Sequence, residues 1–329
     1  MTAAPEKILV TGGSGFIGSH LVDEIARRGF QVINLDVNPP SIPDQAGYWL
    51  ECDIKNGDAL AARFQEFAPT HVIHLAAKAN LVGNSIDDFP DNTVGTANIV
   101  ASVNETESVL RFIHTSTQYT VTPGVLPAND TFLEPYTAYG ESKAATEKIV
   151  REQCRKEWVI IRPTNIWGPR HAFFPRELWR YLERRYYVHP GFDPIFKHYC
   201  YVGNAVEQIL RIALDEASSK VSKKVWYITD GAIDNADWMN GFSVALSGKS
   251  VRKVPLLVWR AMAMTGDLLK WAGIAFPVNS ERLFRLTVTE RLPESMIFKL
   301  PPESVISLQE GIARSIAWYR SMQEDRFSQ

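Results

Sequence analysis

Short runs of apolar residues recur along the first two thirds of the chain and alternate with segments whose apolar residues are spaced three or four apart. Uninterrupted apolar runs between turn residues are typical of strands buried on both faces of a sheet, and the wider spacing predicts amphipathic helices. The runs predict strands at Ile8–Thr11, Val32–Leu35, Val72–Leu75, Phe112–Thr115, Val159–Ile161 and Val225–Ile228. The spaced segments predict helices at Gly18–Arg28, Ala59–Phe67, Thr93–Asn104 and Tyr139–Arg155. This alternation predicts right-handed βαβ units and an α/β fold with a doubly wound parallel sheet.

The alternation loosens in the second half of the chain. Aromatic residues and prolines crowd Trp167–Pro194, and the later helices are joined by irregular stretches. Those later helices are predicted at Ala205–Glu216, Leu256–Trp271 and Ser307–Met322. We therefore expect residues 1–168 to form the doubly wound domain. Residues 169–329 should form mainly a smaller, entwined lobe that returns some segments to the sheet.

One stretch, Val254–Phe276, is apolar enough to raise the question of a membrane span. Arg260, Asp267 and Lys270 interrupt it, and each would be costly at the centre of a bilayer. The sequence therefore favours an amphipathic helix that packs on the protein, with no membrane contact.

Composition and charge favour a small-molecule partner. The chain has 329 residues, a net charge of −2 and no run of like charges, so nothing indicates a nucleic-acid or membrane-surface footprint. Cys52, Cys154 and Cys200 are far apart and odd in number, which suits a reducing compartment, and neither they nor the histidines have metal-ligand spacing. Without metal-ligand spacing, we expect no metal. The N-terminus runs into the first strand without an apolar signal core, so we expect a cytoplasmic protein.

A glycine-rich turn joins the first predicted strand to the first helix. The sequence from Gly12 to Gly18 reads Gly-Gly-Ser-Gly-Phe-Ile-Gly, and glycine is required where a side chain would block the turn or the approach of a diphosphate. The N–H groups at the helix start would then face the phosphates. Asp36 ends the second strand about 20 residues further on, the usual place for a ribose-binding carboxylate. A carboxylate there would repel a 2′-phosphate, and the next residues offer no arginine, so NAD is favoured over NADP.

At this point the chain resembles a known family. The run Gly12–His20, Asp36, the pair Asp53-Ile54 and the run His74-Leu75-Ala76-Ala77 resemble the extended short-chain dehydrogenases/reductases, the NAD-dependent epimerase/dehydratase family. That family includes nucleotide-sugar epimerases and dehydratases. The resemblance is close from Lys7 to about Pro169 and loose beyond. It implies a Rossmann-type sheet that binds NAD in residues 1–168 and a substrate lobe in residues 169–329.

The resemblance also implies which residues contact NAD. Asp53 and Ile54 would contact the adenine, Ala76 and Ala77 would line the cofactor, and Asn92 would support the site after the fourth strand. The complete set of expected cofactor-binding residues is Gly12, Gly15, Phe16, Ile17, Gly18, Asp36, Asp53, Ile54, Leu75, Ala76, Ala77, Asn92, Thr115, Tyr139, Lys143 and Pro163.

A tyrosine and a lysine one turn apart on a predicted helix are the candidate catalytic pair. Tyr139 is a poor base at neutral pH, but a nearby lysine cation, Lys143, and a positive nicotinamide would favour its phenolate. A hydroxyl at the end of the preceding strand should complete the set. The family pattern selects Thr117, which would leave Thr115 and Ser116 as strand-end or cofactor-side hydroxyls.

The substrate side is less clearly marked. The segment from Arg162 to Pro169 resembles the family segment whose asparagine binds substrate, which makes Asn165 a substrate contact beside Thr117 and Tyr139. Alternatively, this segment only shapes a loop around a packed Trp167. The basic and aromatic residues from Phe173 to Tyr187 suit either a phosphate and base pocket or a solvated helix with an aromatic packing edge.

Departures from the family pattern limit the reaction. Gln118-Tyr119 stands where the dehydratases carry an acidic pair, so dehydration is disfavoured. Lys197-His198-Tyr199 replaces the Arg-Asp-Phe of the sugar enzymes, and Tyr201–Ala205 resembles the 3β-hydroxysteroid dehydrogenase branch instead.

The reading favoured by these residues is a nucleotide-sugar 4-epimerase that works through a 4-keto intermediate. The alternatives are a nucleotide-sugar 4-ketoreductase, a 3β-hydroxysteroid-type alcohol dehydrogenase, and a non-catalytic dinucleotide-binding regulator, which the intact catalytic set disfavours. The resemblance further implies a homodimer built from the helices Thr93–Asn104 and Tyr139–Arg155.

Overall fold

A computed structural model of the chain describes residues 6–79, 83–215, 217–271, 273–274, 276 and 278–327. Its strands are β1 (Lys7–Thr11), β2 (Gln31–Asp36), β3 (Trp49–Glu51), β4 (His71–His74), β5 (Arg111–Thr115), β6 (Glu157–Pro163), β7 (Asn165–Trp167), β8 (Val188–Pro190), β9 (Phe196–Tyr201), β10 (Val225–Ile228), β11 (Gly231–Asp234) and β12 (Arg252–Val254). Its helices are α1 (Phe16–Arg27), α2 (Gly57–Phe67), α3 (Pro90–Glu105), α4 (Ala138–Gln153), α5 (Arg180–Glu183), α6 (Val202–Leu210), α7 (Ser218–Val221), α8 (Asn235–Ser247), α9 (Leu256–Trp271), α10 (Ser280–Thr287) and α11 (Leu308–Phe327).

Seven strands form one sheet in the order β3-β2-β1-β4-β5-β6-β10, and every neighbouring pair is parallel. The predicted doubly wound sheet is confirmed, and each of the six predicted strands has a counterpart in it. The edge strand β3 was not predicted, because it has only three residues and none of them is fully buried. Strand β10 comes from the second half of the chain and pairs with β6 at the opposite edge.

Alternate residues of the central strands point to opposite faces of the sheet, as the pleat requires. Ile8 and Val10 of β1 belong to a core that α1 and α6 cover, whereas Leu9 belongs to a second core beneath α2, α3 and α4. The strands are therefore buried on both faces, which explains why they are nearly continuous apolar runs.

The second half of the chain adds two small sheets and an aromatic core. Strands β11, β9 and β7 form one sheet, and β12 pairs with β8 in the other. Trp167, Trp179 and Trp238 are almost fully buried and pack with Phe242.

The predicted helix Ala205–Glu216 is found as α6 and a π-helical turn at Arg211–Asp215, while Glu216 lies outside the described residues. The division at residue 168 and the homodimer stay predictions.

The predicted helix Leu256–Trp271 is present as α9, but the packing expected for it is largely absent. Of its sixteen residues only Ala263 and Gly266 are buried. Gly266 is held so close to the Val278 backbone that a Cβ there would lie 1.8 Å from the carbonyl oxygen. The helix thus comes closest to the protein at Gly266, and Leu256, Trp259 and Leu269 are half-buried, while its other large apolar side chains are exposed. Within the described part of the chain, every helix is too short or too polar to span a bilayer.

Candidate active site

A cleft of about 1150 Å³ opens at the carboxyl ends of the parallel strands. In open α/β sheets this edge is where ligands bind. The predicted residues that line it are Gly12, Gly15, Phe16, Ile17, Gly18, Asp36, Asp53, Ile54, Leu75, Ala76, Ala77, Thr115, Thr117, Tyr139, Lys143, Pro163 and Asn165. Among the predicted contacts, only Asn92 is not part of the cleft wall.

The glycine-rich turn is packed so closely that it tolerates no side chain at several positions. Gly12 has a φ of +74°, and a Cβ on it would lie 2.6 Å from the backbone nitrogen of Ala76. A Cβ on Gly18 would lie 2.2 Å from the Gly12 carbonyl oxygen, so this glycine allows α1 to pack against the turn. Gly15 caps α1 without a side chain, which leaves the first N–H groups of the helix for an anion. The turn therefore fits the diphosphate of a dinucleotide.

Replacing Gly18 with alanine should separate α1 from the turn, because the new methyl group would overlap the Gly12 carbonyl group. We expect the Kd for NAD, measured by isothermal titration calorimetry, to rise by roughly tenfold or more. Gly47→Ala is the matched control, since a Cβ at Gly47 meets nothing within 4 Å. Equal NAD affinity in the two variants would contradict the role given to this turn.

Asp36 is fixed at the rim of the cleft. One carboxylate oxygen accepts a hydrogen bond from the Ser14 N–H (3.1 Å) and the other from the Asn38 N–H (2.9 Å). Its backbone oxygen also accepts from the Trp49 indole at 3.0 Å. A negative charge held rigidly at the end of β2 fits a ribose with free hydroxyls better than a ribose phosphate.

Thr117, Tyr139 and Lys143 are brought together at the floor of the cleft. Thr137 caps α4, its hydroxyl accepting from the Gly140 N–H at 3.0 Å, so the helix begins at Ala138 and carries Tyr139 in its first turn. The Thr117 hydroxyl accepts from the Tyr119 N–H at 3.3 Å and is close enough to the Tyr139 phenol to lower its pKa, and both Tyr139 and Lys143 are buried. The three predicted catalytic side chains therefore share one cleft, and their catalytic roles stay predictions.

Burial dominates the titration of this pair. It raises the pKa of Tyr139 to about 12, although the Thr117 hydrogen bond opposes the rise. It also lowers the pKa of Lys143 to about 8, against the attraction of Glu147. The prediction that the phenolate is favoured invokes Lys143 together with a positive nicotinamide, so it stays a prediction for the protein with NAD bound. A second positive charge in the cleft, such as an oxidised nicotinamide, is needed to favour the phenolate.

A buried ion pair lies directly behind the catalytic residues. Glu147, one turn beyond Lys143 on α4, accepts from Arg162 of β6 at 2.8 and 2.9 Å, and both side chains are fully buried. Ser116, next to Thr117, donates to the same carboxylate at 2.6 Å, and Arg162 donates to the Tyr227 hydroxyl at 3.1 Å. The network connects β5, α4, β6 and β10 beneath the site.

Asn92 lies behind the cleft wall and is buried. Its side chain accepts from the Lys78 N–H at 2.8 Å and donates to the Ser142 hydroxyl at 2.8 Å. It therefore joins the segment after β4 to the turn of α4 between Tyr139 and Lys143. Asn92 is buried and does not line the cleft, so its predicted part in the cofactor site stays a prediction.

The substrate end of the cleft is arranged around Asn165. Its amide nitrogen donates to the His198 carbonyl (2.9 Å) and the Glu290 carboxylate (3.2 Å), and its oxygen accepts from Gln118 at 3.3 Å. Glu290 also forms an ion pair with Lys197 at 3.5 Å. Asn165 lines the cleft, but its polar atoms are already used inside the protein, so its role as a substrate contact stays a prediction.

Aromatic residues form the rim on this side. Phe16 and His171 are in edge contact with ring centroids 4.6 Å apart, and His171 and Phe174 are 4.3 Å apart. Burial lowers the pKa of His171 to about 4, so this histidine is neutral at physiological pH. Farther along, Trp179 and Leu182 are buried in the lobe, so that part of the Phe173–Tyr187 segment is a packing edge.

The family model described as the NAD dependent epimerase/dehydratase family matches residues 8–225. The chain belongs to this family. Its membership confirms that the chain is an enzyme and that NAD is its cofactor.

Individual relatives match about half of the chain. A 3-beta-hydroxysteroid dehydrogenase of Mycolicibacterium neoaurum is 32% identical over 178 residues, covering 49% of this chain and 48% of its own. A UDP-glucose 4-epimerase of Mycolicibacterium smegmatis is 32% identical over 183 residues, covering 50% of this chain and 57% of its own. The chain thus spans about half the length of the curated relatives it matches. The crystal structure of a Thermus thermophilus UDP-glucose 4-epimerase with NAD is 22% identical, with a TM-score of 0.66 over 95% of this chain and 99% of that one, and it confirms the fold.

Two groups of residues at this site of the epimerase/dehydratase chain were not predicted from sequence. The first is the Ser116, Glu147 and Arg162 network, whose signal was an arginine inside an apolar strand and a glutamate one turn beyond Lys143. The second is Glu290, which is 125 residues from Asn165 along the chain. No local spacing connects those two residues, so only the fold reveals their contact.

Proposed function

We propose that the chain is a nucleotide-sugar oxidoreductase that acts at C4 and works as a 4-epimerase. The observation that carries this proposal is the grouping of Thr117, Tyr139 and Lys143 in one cleft with the glycine-rich turn. The side chains that follow Thr117 are Gln118 and Tyr119, and neither is an acid or base near pH 7. Tyr139 can thus remove a proton from a substrate hydroxyl, but no side chain beside Thr117 can catalyse the elimination of water.

The residues divide the chemistry as follows. NAD, when bound, supplies a reversible acceptor for hydride. Tyr139 takes the proton of the C4 hydroxyl, and Thr117 holds the same oxygen with a hydrogen bond. Lys143 supplies the cation that favours the phenolate. The resulting 4-keto sugar must turn over before reduction, and the cleft, larger than the roughly 300–1,000 Å³ of a usual small-ligand site, has room for both ligands.

A cation that could reach the diphosphate of a nucleotide lies near Tyr119, a residue of the cleft wall, although it does not itself line the cleft. Arg285 of α10 is close enough to Tyr119 and Tyr136 to oppose the rise that burial causes in the pKa of each. Its side chain is one-third exposed and pairs with Glu281 at 3.4 Å. An exchangeable surface pair of this kind can release its arginine to a phosphate at little cost.

A hydroxysteroid-type dehydrogenase is the second candidate, and the apolar rim favours it. Ile166, Phe173 and Phe174 line the substrate end of the cleft and would suit a fused-ring alcohol. The segment Tyr201–Ala205 lends no support from its position, because Asn204 bonds to the Ile306 backbone and Tyr201 packs on Trp167. The residues that resemble the steroid branch thus pack inside the protein and do not line the cleft.

Cofactor use separates the two candidates. An epimerase returns its hydride within one cycle, so tight retention of NAD does not slow turnover. We expect the purified protein to carry NAD and to equilibrate a UDP-hexose with its C4 epimer without added cofactor and without net NADH absorbance. No exchange with any nucleotide sugar, together with stoichiometric NADH from a hydroxysteroid, would reject the epimerase and leave the catalytic residues in place.

A further inference from the structure

Helix α9 presents its apolar side away from the protein. Eleven of its sixteen residues are apolar, yet only Ala263 and Gly266 are buried, and six of its large apolar side chains are exposed. In water an exposed apolar stripe of this length, about 24 Å at 1.5 Å per residue, is unfavourable and marks a surface that another phase or molecule covers.

The exposed residues fall on a single face. Leu257, Met264, Leu268 and Trp271 follow the three-or-four spacing of one helix side and are 75%, 71%, 65% and 87% exposed. Val258 and Met262 extend the face on one flank and are also exposed. The stripe therefore runs the whole length of α9 and ends in a tryptophan, a side chain that favours the boundary between hydrocarbon and water.

The charges carried by α9 and by β12 just before it are predominantly positive. From residue 252 to residue 271 the chain has Arg252, Lys253, Arg260 and Lys270 against the single acid Asp267, although the whole chain has a net charge of −2. Asp267 is turned towards α10, where it accepts from the N–H and the hydroxyl of Ser280. An apolar stripe with a positive rim complements an anionic lipid surface.

We propose that α9 docks the protein on the surface of a membrane that contains anionic lipids. The helix lies in the interface with Leu257, Met264, Leu268 and Trp271 among the acyl chains, while Arg260 and Lys270 reach the headgroups. This departs from the absence of membrane contact expected from sequence, and it concerns a surface helix and not a span. It is independent of the reaction proposed above.

Flotation of the full-length protein with vesicles tests the proposal. We expect wild type to bind vesicles of equimolar phosphatidylcholine and phosphatidylglycerol and to bind pure phosphatidylcholine much more weakly. The double variant Met264→Glu/Leu268→Glu should reduce the partition coefficient by roughly a hundredfold, because two apolar side chains that would enter the acyl region become charged. Arg260→Gln and Lys270→Gln should each weaken binding roughly fivefold at low salt.

The controls separate membrane docking from misfolding and from self-association. Leu110→Glu and Leu126→Glu also charge exposed leucines, but elsewhere on the chain, and should leave vesicle binding unchanged. Circular dichroism and NAD affinity should be the same in every variant, since α9 does not line the cleft. Failure of wild type to bind the anionic vesicles would overturn the proposal. Loss of a dimer in Met264→Glu/Leu268→Glu by light scattering, with no vesicle binding by wild type, would make this face a subunit interface instead.

Discussion

Replacing Tyr139 with phenylalanine will reduce turnover by roughly a thousandfold or more and leave NAD affinity within about threefold. The substitution removes only the hydroxyl that gives and takes the proton, and the ring keeps its place beside Phe89 and Tyr119. Single-turnover kinetics with the identified sugar or alcohol, combined with calorimetric NAD binding, measure the two quantities separately.

A neighbouring tyrosine provides the control for this result. Tyr136 lies close by, and its buried hydroxyl has no partner within the described part of the chain, so Tyr136→Phe removes a phenol of similar environment without removing a hydrogen bond. We expect its turnover to stay within about threefold of wild type. Comparable losses in Tyr136→Phe and Tyr139→Phe would mean that the region responds to any lost hydroxyl and that the catalytic assignment is wrong.

The fold could be predicted from sequence because its signals are local and repeated. A parallel strand covered on both faces must be apolar at every position, so runs such as Val159–Ile161 identify β6 without knowledge of its neighbours. The glycine-rich turn is recognisable from its own sequence, and Gly18 is required by Gly12 atoms only six residues away, whereas the backbone that excludes a side chain at Gly12 belongs to Ala76. Strand β3 escaped prediction because three partly exposed residues give no pattern.

The candidate site was predictable where one element carries its residues. Tyr139 and Lys143 share a helix, and their spacing fixes a common face. Contacts that cross the fold were not predictable: Glu290 reaches Asn165 only after the second half of the chain packs on the first. The pKa of Tyr139 also depends on how deeply its side chain is buried, which sequence does not give, so the rise to about 12 in the protein alone was not predicted.

The direction in which α9 faces could not be predicted either. Its sequence is apolar on most sides, so periodicity alone does not show which side packs. Gly266 decides the matter, because it lies so close to the Val278 backbone that no side chain would fit there. Six of the bulky apolar residues are then left exposed on the outer side.

The second large effect is expected from the buried pair of Glu147 and Arg162. Glu147→Gln preserves the shape of the side chain but leaves the fully buried Arg162 guanidinium without a counter-ion. Breaking a buried pair from one side costs about 3–5 kcal/mol of unfolding free energy, which urea unfolding at neutral pH measures. Glu152→Gln on the same helix is the matched control, because its contact with Lys148 is exposed and 3.8 Å long, and it should cost less than about 0.5 kcal/mol.

The loss of the Glu147 charge should also change the pH dependence of catalysis. Burial lowers the pKa of Lys143 to about 8, and Glu147 opposes that lowering, so its removal lowers the pKa further. Since the cationic form of Lys143 is the active one, the loss of activity on the alkaline side should move to lower pH in Glu147→Gln and remain unchanged in Glu152→Gln.

The double variant Glu147→Gln/Arg162→Met removes the stranded guanidinium and should be more stable than the sum of the two single changes predicts. It should nevertheless retain the shifted pH profile, because the carboxylate that supports the Lys143 cation is still missing. A double variant with the wild-type profile would show that Glu147 matters only to stability.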